Sequence, residues 1–140
     1  MGLIRGAYWP EAEVDYGSYK GNAHIFAELV VGALGQQYEL TRHALSNTLV
    51  EINGDSARSE TCVHAGHLLI GAEEELLFYG RYLDRLEKRE GQWKMIHRQV
   101  VMDWSKRHPV QDERDSEAFG DLAKGAHCDT DPLYTFLKTG

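Results

Sequence analysis

Hydrophobic and polar positions alternate most regularly between Glu75 and Trp104, and the alternation predicts two long strands, "EELLFYGRYLDRLEK" and "QWKMIHRQVVMDW". Arg89-Glu90-Gly91 joins them as a three-residue loop, a type I turn closed by a left-handed glycine. That loop sets Lys88 opposite Gln92 and Tyr82 opposite Arg98. One face then carries Phe78, Gly80, Tyr82, Asp84 and Leu86 against Lys94, Ile96, Arg98, Val100 and Met102. Strands of this length curl instead of lying flat, and Gly80 is the natural place for a bend. The hollow side is apolar with Tyr82, Asp84 and Arg98 set into it, which makes either a pocket or a core holding a buried ion pair.

Upstream, "RHALSNTLVEI" and "SARSETCVHAGHLLI" flank Asn53-Gly54, a strong hairpin signal. Before them, Ile25, Phe26, Leu29, Val30 and Ala33 recur at helical spacing, predicting a helix over 23–34 with Asn22 as its cap and Gly35 at its end. Residues 1–10 read as the tail of a helix stopped by Pro10, followed by a short strand at Glu13–Tyr16, a turn at Gly17-Ser18 and another short extended piece. Beyond Trp104 the chain turns polar. Its last stretch, "DPLYTFL", reads as a short helix capped by Asp131 with Pro132 at the first position. Helices segregated to one side of a curved antiparallel sheet give an α+β cone. Residues 1–107 form that domain, and 108–140 are an extension laid over it or over a neighbouring subunit.

Composition removes whole classes of function. The 140 residues support one domain with its own core, and 42% hydrophobic with 26% charged residues is ordinary for a globular protein. A net charge of −7 with no basic stripe argues against nucleic acid. No apolar run is long enough to cross a membrane, and the start has no signal core, so a cytoplasmic protein is expected. Cys62 and Cys128 form no metal spacing or disulfide framework. His64 and His67 are three apart in a strand and point to opposite faces, so no metal site is expected. An open sheet face and a bare edge call for cover, and a homo-oligomer, dimer or trimer, is expected.

The pieces "YWPEAEVDYGSYKG", "RHALSNTLVEINGDSA", "GRYLDRLEKREGQWKMIHRQVVMDW" and "DPLY", in this order, resemble the SnoaL-like branch of the NTF2-like superfamily. The resemblance covers about three quarters of the chain and implies a cone whose strongly curved antiparallel sheet has helices packed on its concave side, around a deep apolar pocket. Enzymes of the family include polyketide cyclases, ketosteroid isomerases, dehydratases and a dehydrochlorinase, most of them working without metal or cofactor. In the dehydratase and dehydrochlorinase group, an Asp late in the first helix and a His at the start of a long strand form a base dyad assisted by an Arg on the last strand. By motif match His43 in "RHALSN" takes the histidine's place and Arg98 in "MIHRQ" the arginine's. The Asp has no counterpart. About 30 residues of that helical region are expected to be absent, because the start is internal to a longer protein or because the helix is lost.

Each candidate has two readings. Alternation places His43 on a face with Leu45, Asn47 and Leu49, where it is a general base near its working pH or a satisfied core histidine. Arg98 stabilises a departing hydroxide or halide, or is a structural partner of Asp84, two residues diagonal from it. Tyr82 and Asn47 orient a substrate, or they pack and satisfy backbone groups. Tyr16 lines the pocket, or belongs to a core wall with Trp9, Phe26 and Phe78. Asp103 is a reserve acid–base group that needs a strand-end bulge to turn inward. The expected function is a cofactor-independent lyase or isomerase acting on a small hydrophobic molecule. The alternative is a non-catalytic module that binds a ligand or assembles subunits through the same cone.

Overall fold

The computed structural model describes residues 2–71 and 73–139. Six strands form one curved, unclosed sheet in the order β2-β1-β6-β5-β4-β3. They are β1 (Tyr8–Asp15), β2 (Lys20–Asn22), β3 (Tyr38–Asn53), β4 (Ser56–Leu69), β5 (Glu74–Arg89) and β6 (Gln92–Pro109). Three helices accompany them: α1 (Gly2–Gly6), α2 (Ala23–Gln37) and α3 (Pro132–Phe136). The sheet is mixed: β1 runs parallel to β6, and every other pairing is antiparallel.

The long hairpin forms where alternation puts it, with a tighter turn than the sequence suggests. Arg89 pairs with Gln92, leaving only Glu90 and Gly91 in the loop, and both have positive φ (51° and 81°). That is the type I′ geometry whose twist matches a right-handed ribbon. A second departure follows between Arg85 and Leu86, where Ile96 is the extra residue on β6. Together the two shift the pairing by two positions, so the face forecast for Arg98 survives and its partner changes. Asp84 stands directly opposite Arg98, and Tyr82 pairs with Val100.

A third irregularity lies between Tyr79 and Gly80, where β6 carries Asp103 as its extra residue. Gly80 is required there. A Cβ would run into the Val101 carbonyl oxygen and stand 2.7 Å from the Phe78 ring.

At the other end Asn22 caps α2, its side-chain oxygen accepting from the His24 and Ile25 amides. The helix runs through Gly35 to Gln37 and passes straight into β3 at Tyr38, so Gly35 does not terminate it. Its buried residues are Ala23 and Ala27, with Phe26 packed beside them, whereas Ile25 and Leu29 are exposed. Small residues let α2 lie close on β1, where Tyr8, Ala12 and Val14 complete the core and Phe26 stacks on Tyr16 at 4.1 Å. Tyr8 to Trp9 is already strand, not helix tail. Pro10 fits because the β1–β6 register breaks between Tyr8 and Glu13, so no ladder bond is asked of its nitrogen.

After β6 the chain folds back along β3, the edge strand. Arg114 pairs with Glu39, and the Thr41 amide donates to His127 Nε2 at 3.1 Å. In α3, Asp131 accepts from the Leu133 amide, with Pro132 in the first turn. Among the described residues, no helix is long and apolar enough to cross a membrane.

Candidate functional site

The inner face of the sheet, the face of Val14 and Arg98, gathers two polar clusters. The first is built on β5, β6 and β1. Arg98 donates from Nε and Nη2 to the two carboxylate oxygens of Asp84, both at 2.7 Å. Its guanidinium lies 4.0 Å from the centroid of the Tyr82 ring. Direct opposition on the ladder makes the two-pronged bond possible, since both side chains leave the same pleat. Burial alone would loosen Arg98's proton, but the Asp84 bonds and the facing Tyr8 hold it more tightly than usual. Burial pushes the phenols of Tyr8 and Tyr16 up, and that of Tyr82 up to about 12. All three are therefore neutral hydrogen-bond donors at neutral pH.

The second cluster lies on β3 and β4. His43 pairs with Ala65, and the His67 ring meets its ring edge-on at 5.3 Å between centroids. His67 is buried, with Nδ1 3.3 Å from the Leu76 carbonyl oxygen and Tyr38 tilted against its ring at 4.7 Å. That carbonyl can only accept, so Nδ1 carries the proton and Nε2 keeps its lone pair. Desolvation lowers the pKa of His43, and the neighbouring His67 pushes the same way. Desolvation lowers His67 as well, against the bond to Leu76. Both rings are thus neutral near pH 7, and the exposed one, His43, is free to accept a proton.

His67 escaped the sequence reading for a definite reason. A clean ladder from the Asn53–Ser56 turn would set His43 opposite Gly66 and turn His67 to the other face. Asn47, with φ of 46°, is an extra residue between Ser46 and Thr48, and it moves the pairing to Ala65. The same bulge alters the forecast for β3: Thr48 and Val50 share the face of His43, and Leu49 turns away. The signal for His67 is therefore the tolerance of Asn47 for the left-handed backbone conformation, which period-two counting does not register.

The remaining candidates are placed as follows. Tyr82 and Asp84 lie in the Arg98 cluster, with Tyr16 on its β1 side next to Tyr8, a residue the sequence reading passed over. Asn47 is exposed on the edge strand. Asp103 sits in a bulge, yet its carboxylate accepts from Arg81 at 3.0 Å on the face opposite Arg98. His43 and Arg98 share a face but stand three strands apart. The ladder row through Arg98 meets β3 at Val50, seven positions from His43. Among the described residues no hydrogen bond joins the two clusters, and no group of three His, Cys, Asp or Glu is arranged to hold a metal ion.

Residues 1–99 match the family described as a SnoaL-like domain. A scytalone dehydratase candidate from Novosphingobium aromaticivorans superposes with a TM-score of 0.68 at 21% identity, over 79% of this chain and 75% of that one. A hexachlorocyclohexane dehydrochlorinase, LinA type 2, superposes with a TM-score of 0.67 at 24% identity over the same shares. LinA type 3 from Novosphingobium barchaimii gives 0.67 at 20% identity, over 78% and 75%. At these identities the likeness is one of fold. No curated protein matches the chain.

Proposed function

Since this chain belongs to the SnoaL-like domain family, within the NTF2-like superfamily, we propose that it is a lyase that eliminates a small leaving group from a hydrophobic substrate, with His43 as the base. The carrying observation is the imidazole pair: a neutral, accessible His43 braced by a buried His67 whose tautomer is fixed. In the step, His43 takes the proton from a carbon, the C–H electron pair forms the new double bond, and the bond from the adjacent carbon to the leaving group breaks, its electron pair departing with hydroxide or halide. His67, packed edge-to-face on the His43 ring, orients it.

Arg98 acts through its polar surroundings. With two of its nitrogens committed to Asp84, it supplies fixed positive potential to the inner face, where the Tyr8, Tyr16 and Tyr82 hydroxyls lie beside it as neutral donors. Small alicyclic or aromatic molecules suit the apolar remainder of the face, Leu45, Val63 and Val100. General-base elimination calls for no redox or metal step. The family's structural neighbours that are named as a dehydratase and dehydrochlorinases support this class of reaction.

The test is turnover of a panel of small hydrophobic alcohols and halides. His43→Ala should lower kcat by a hundredfold or more, roughly the value of a positioned base, and leave KM near its starting point. An unchanged kcat on a substrate the native chain turns over would refute the assignment. A second reading, a module that binds such a molecule or assembles subunits without chemistry, draws on the Arg98–Asp84 pair, which leaves that guanidinium less free to meet a leaving anion. Saturable binding with no turnover across the panel would favour it.

A further inference from the structure

On the face opposite Arg98, one ladder row runs across five strands as Glu51, Arg58, Arg85, His97 and Glu13. Arg58 and Arg85 are direct cross-strand neighbours, so their Cβ atoms lie about 5 Å apart, and like charges in that position destabilise a sheet. Of the other seven arginines six, Arg5, Arg81, Arg89, Arg98, Arg107 and Arg114, each reach a carboxylate within 4.0 Å, and among the described residues Arg42 does not. Among the described residues, neither Arg58 nor Arg85 does. Above them opens a hollow of about 480 Å³, walled on this face by Leu49 and Leu83 as well as by Glu51, Arg58, Arg85 and His97. That volume lies within the range of small-molecule sites, which combine apolar wall with a few convergent polar groups.

We propose that this hollow binds a small organic carboxylate, its charged end between Arg58 and Arg85 and its apolar body against Leu49 and Leu83. Two guanidinium forks side by side match the two oxygens of a carboxylate and cancel the repulsion between them. The ends of the row select the charge of the ligand. Glu51 and Glu13 flank the cationic pair, so a multiply charged anion such as phosphate meets repulsion on both sides, whereas a monoanion fits between. His97, next to Arg85, contributes a ring nitrogen to the same row. The site does not depend on the elimination chemistry of the inner face.

Titration of the full chain with benzoate, and separately with inorganic phosphate, followed by NMR of the arginine side-chain N–H groups, tests the assignment. Benzoate should shift the Arg58 and Arg85 signals saturably. Arg58→Gln should weaken binding roughly tenfold or more, the worth of one charged hydrogen bond, and the double replacement with Arg85→Gln should abolish it. Both positions are on the surface side of the sheet, and thermal melts of the variants in anion-free buffer should match or exceed the native chain. His43→Ala should bind benzoate like the native chain, which separates this site from the proposed catalytic one. A saturable shift that survives in the double variant, no saturable shift in the native chain, or phosphate acting on the same signals at lower concentration would each overturn the proposal.

Discussion

Replacing Asp84 with Asn removes the only carboxylate that, among the described residues, is paired with Arg98 and leaves a guanidinium set into the wall of the sheet. Asp84 is 7% exposed and Arg98 17%, so water cannot take over the lost charge without opening the packing around Val14 and Tyr82. Stranding one member of a buried pair costs about 3–5 kcal/mol. The Asn side-chain carbonyl can still accept one bond from the guanidinium, which puts the loss near the lower end, about 3 kcal/mol. For a chain of this size that is a fall in Tm of roughly 10–15 °C. Urea unfolding followed by far-UV circular dichroism measures it directly. The companion variant replaces both partners, Asp84→Leu with Arg98→Met, and should recover most of the loss, because the desolvation penalty of the pair disappears with the pair. A loss below about 1 kcal/mol for Asp84→Asn, the range of exposed pairs, would refute the view that this is a buried, neutralised site.

Gly80→Ala should destabilise by about 3 kcal/mol in the same assay, as overpacking against backbone does, and a near-neutral result would mean the bulge at Asp103 can relax. The histidine pair makes stability depend on pH. The unfolded chain takes up protons near pH 6.5, while His43 and His67 withhold theirs to lower pH when folded. Their contribution is therefore complete above about pH 6.5 and is lost as pH falls through the folded values. The urea midpoint should drop between pH 7.5 and 5.5, and His43→Gln with His67→Asn should flatten that drop; an equally steep slope in the double variant would assign it to other groups.

Much of the architecture was legible because period-two alternation is enforced by burial: Tyr82, Asp84, Arg98 and Val100 share a face in the strand pattern and in the sheet. What escaped were single extra residues. Ile96, Asp103 and Asn47 each insert one position into a ladder, at no visible change in hydrophobic pattern. The first joins the tighter turn in moving Arg98 from Tyr82 to Asp84, and the last brings His67 round to His43. The parallel β1–β6 pairing was also hidden, since a short strand carrying Pro10 looks like a terminator until a register break accommodates it. Helix α2 misled in a different way. Its large apolar residues, Ile25 and Leu29, are not the buried ones; the alanines are, because β1 lies too close for bulk.

The bulge at Asn47 has one more effect, on what the outermost strand offers to other molecules. β3 presents a row of free amides and carbonyls along the sheet's margin, and of these the Thr41 amide is claimed by His127. A flat margin sixteen residues long would template a foreign strand and seed aggregates. The kink divides it into two short runs out of phase with each other, so an incoming strand that zips onto one loses step at the other.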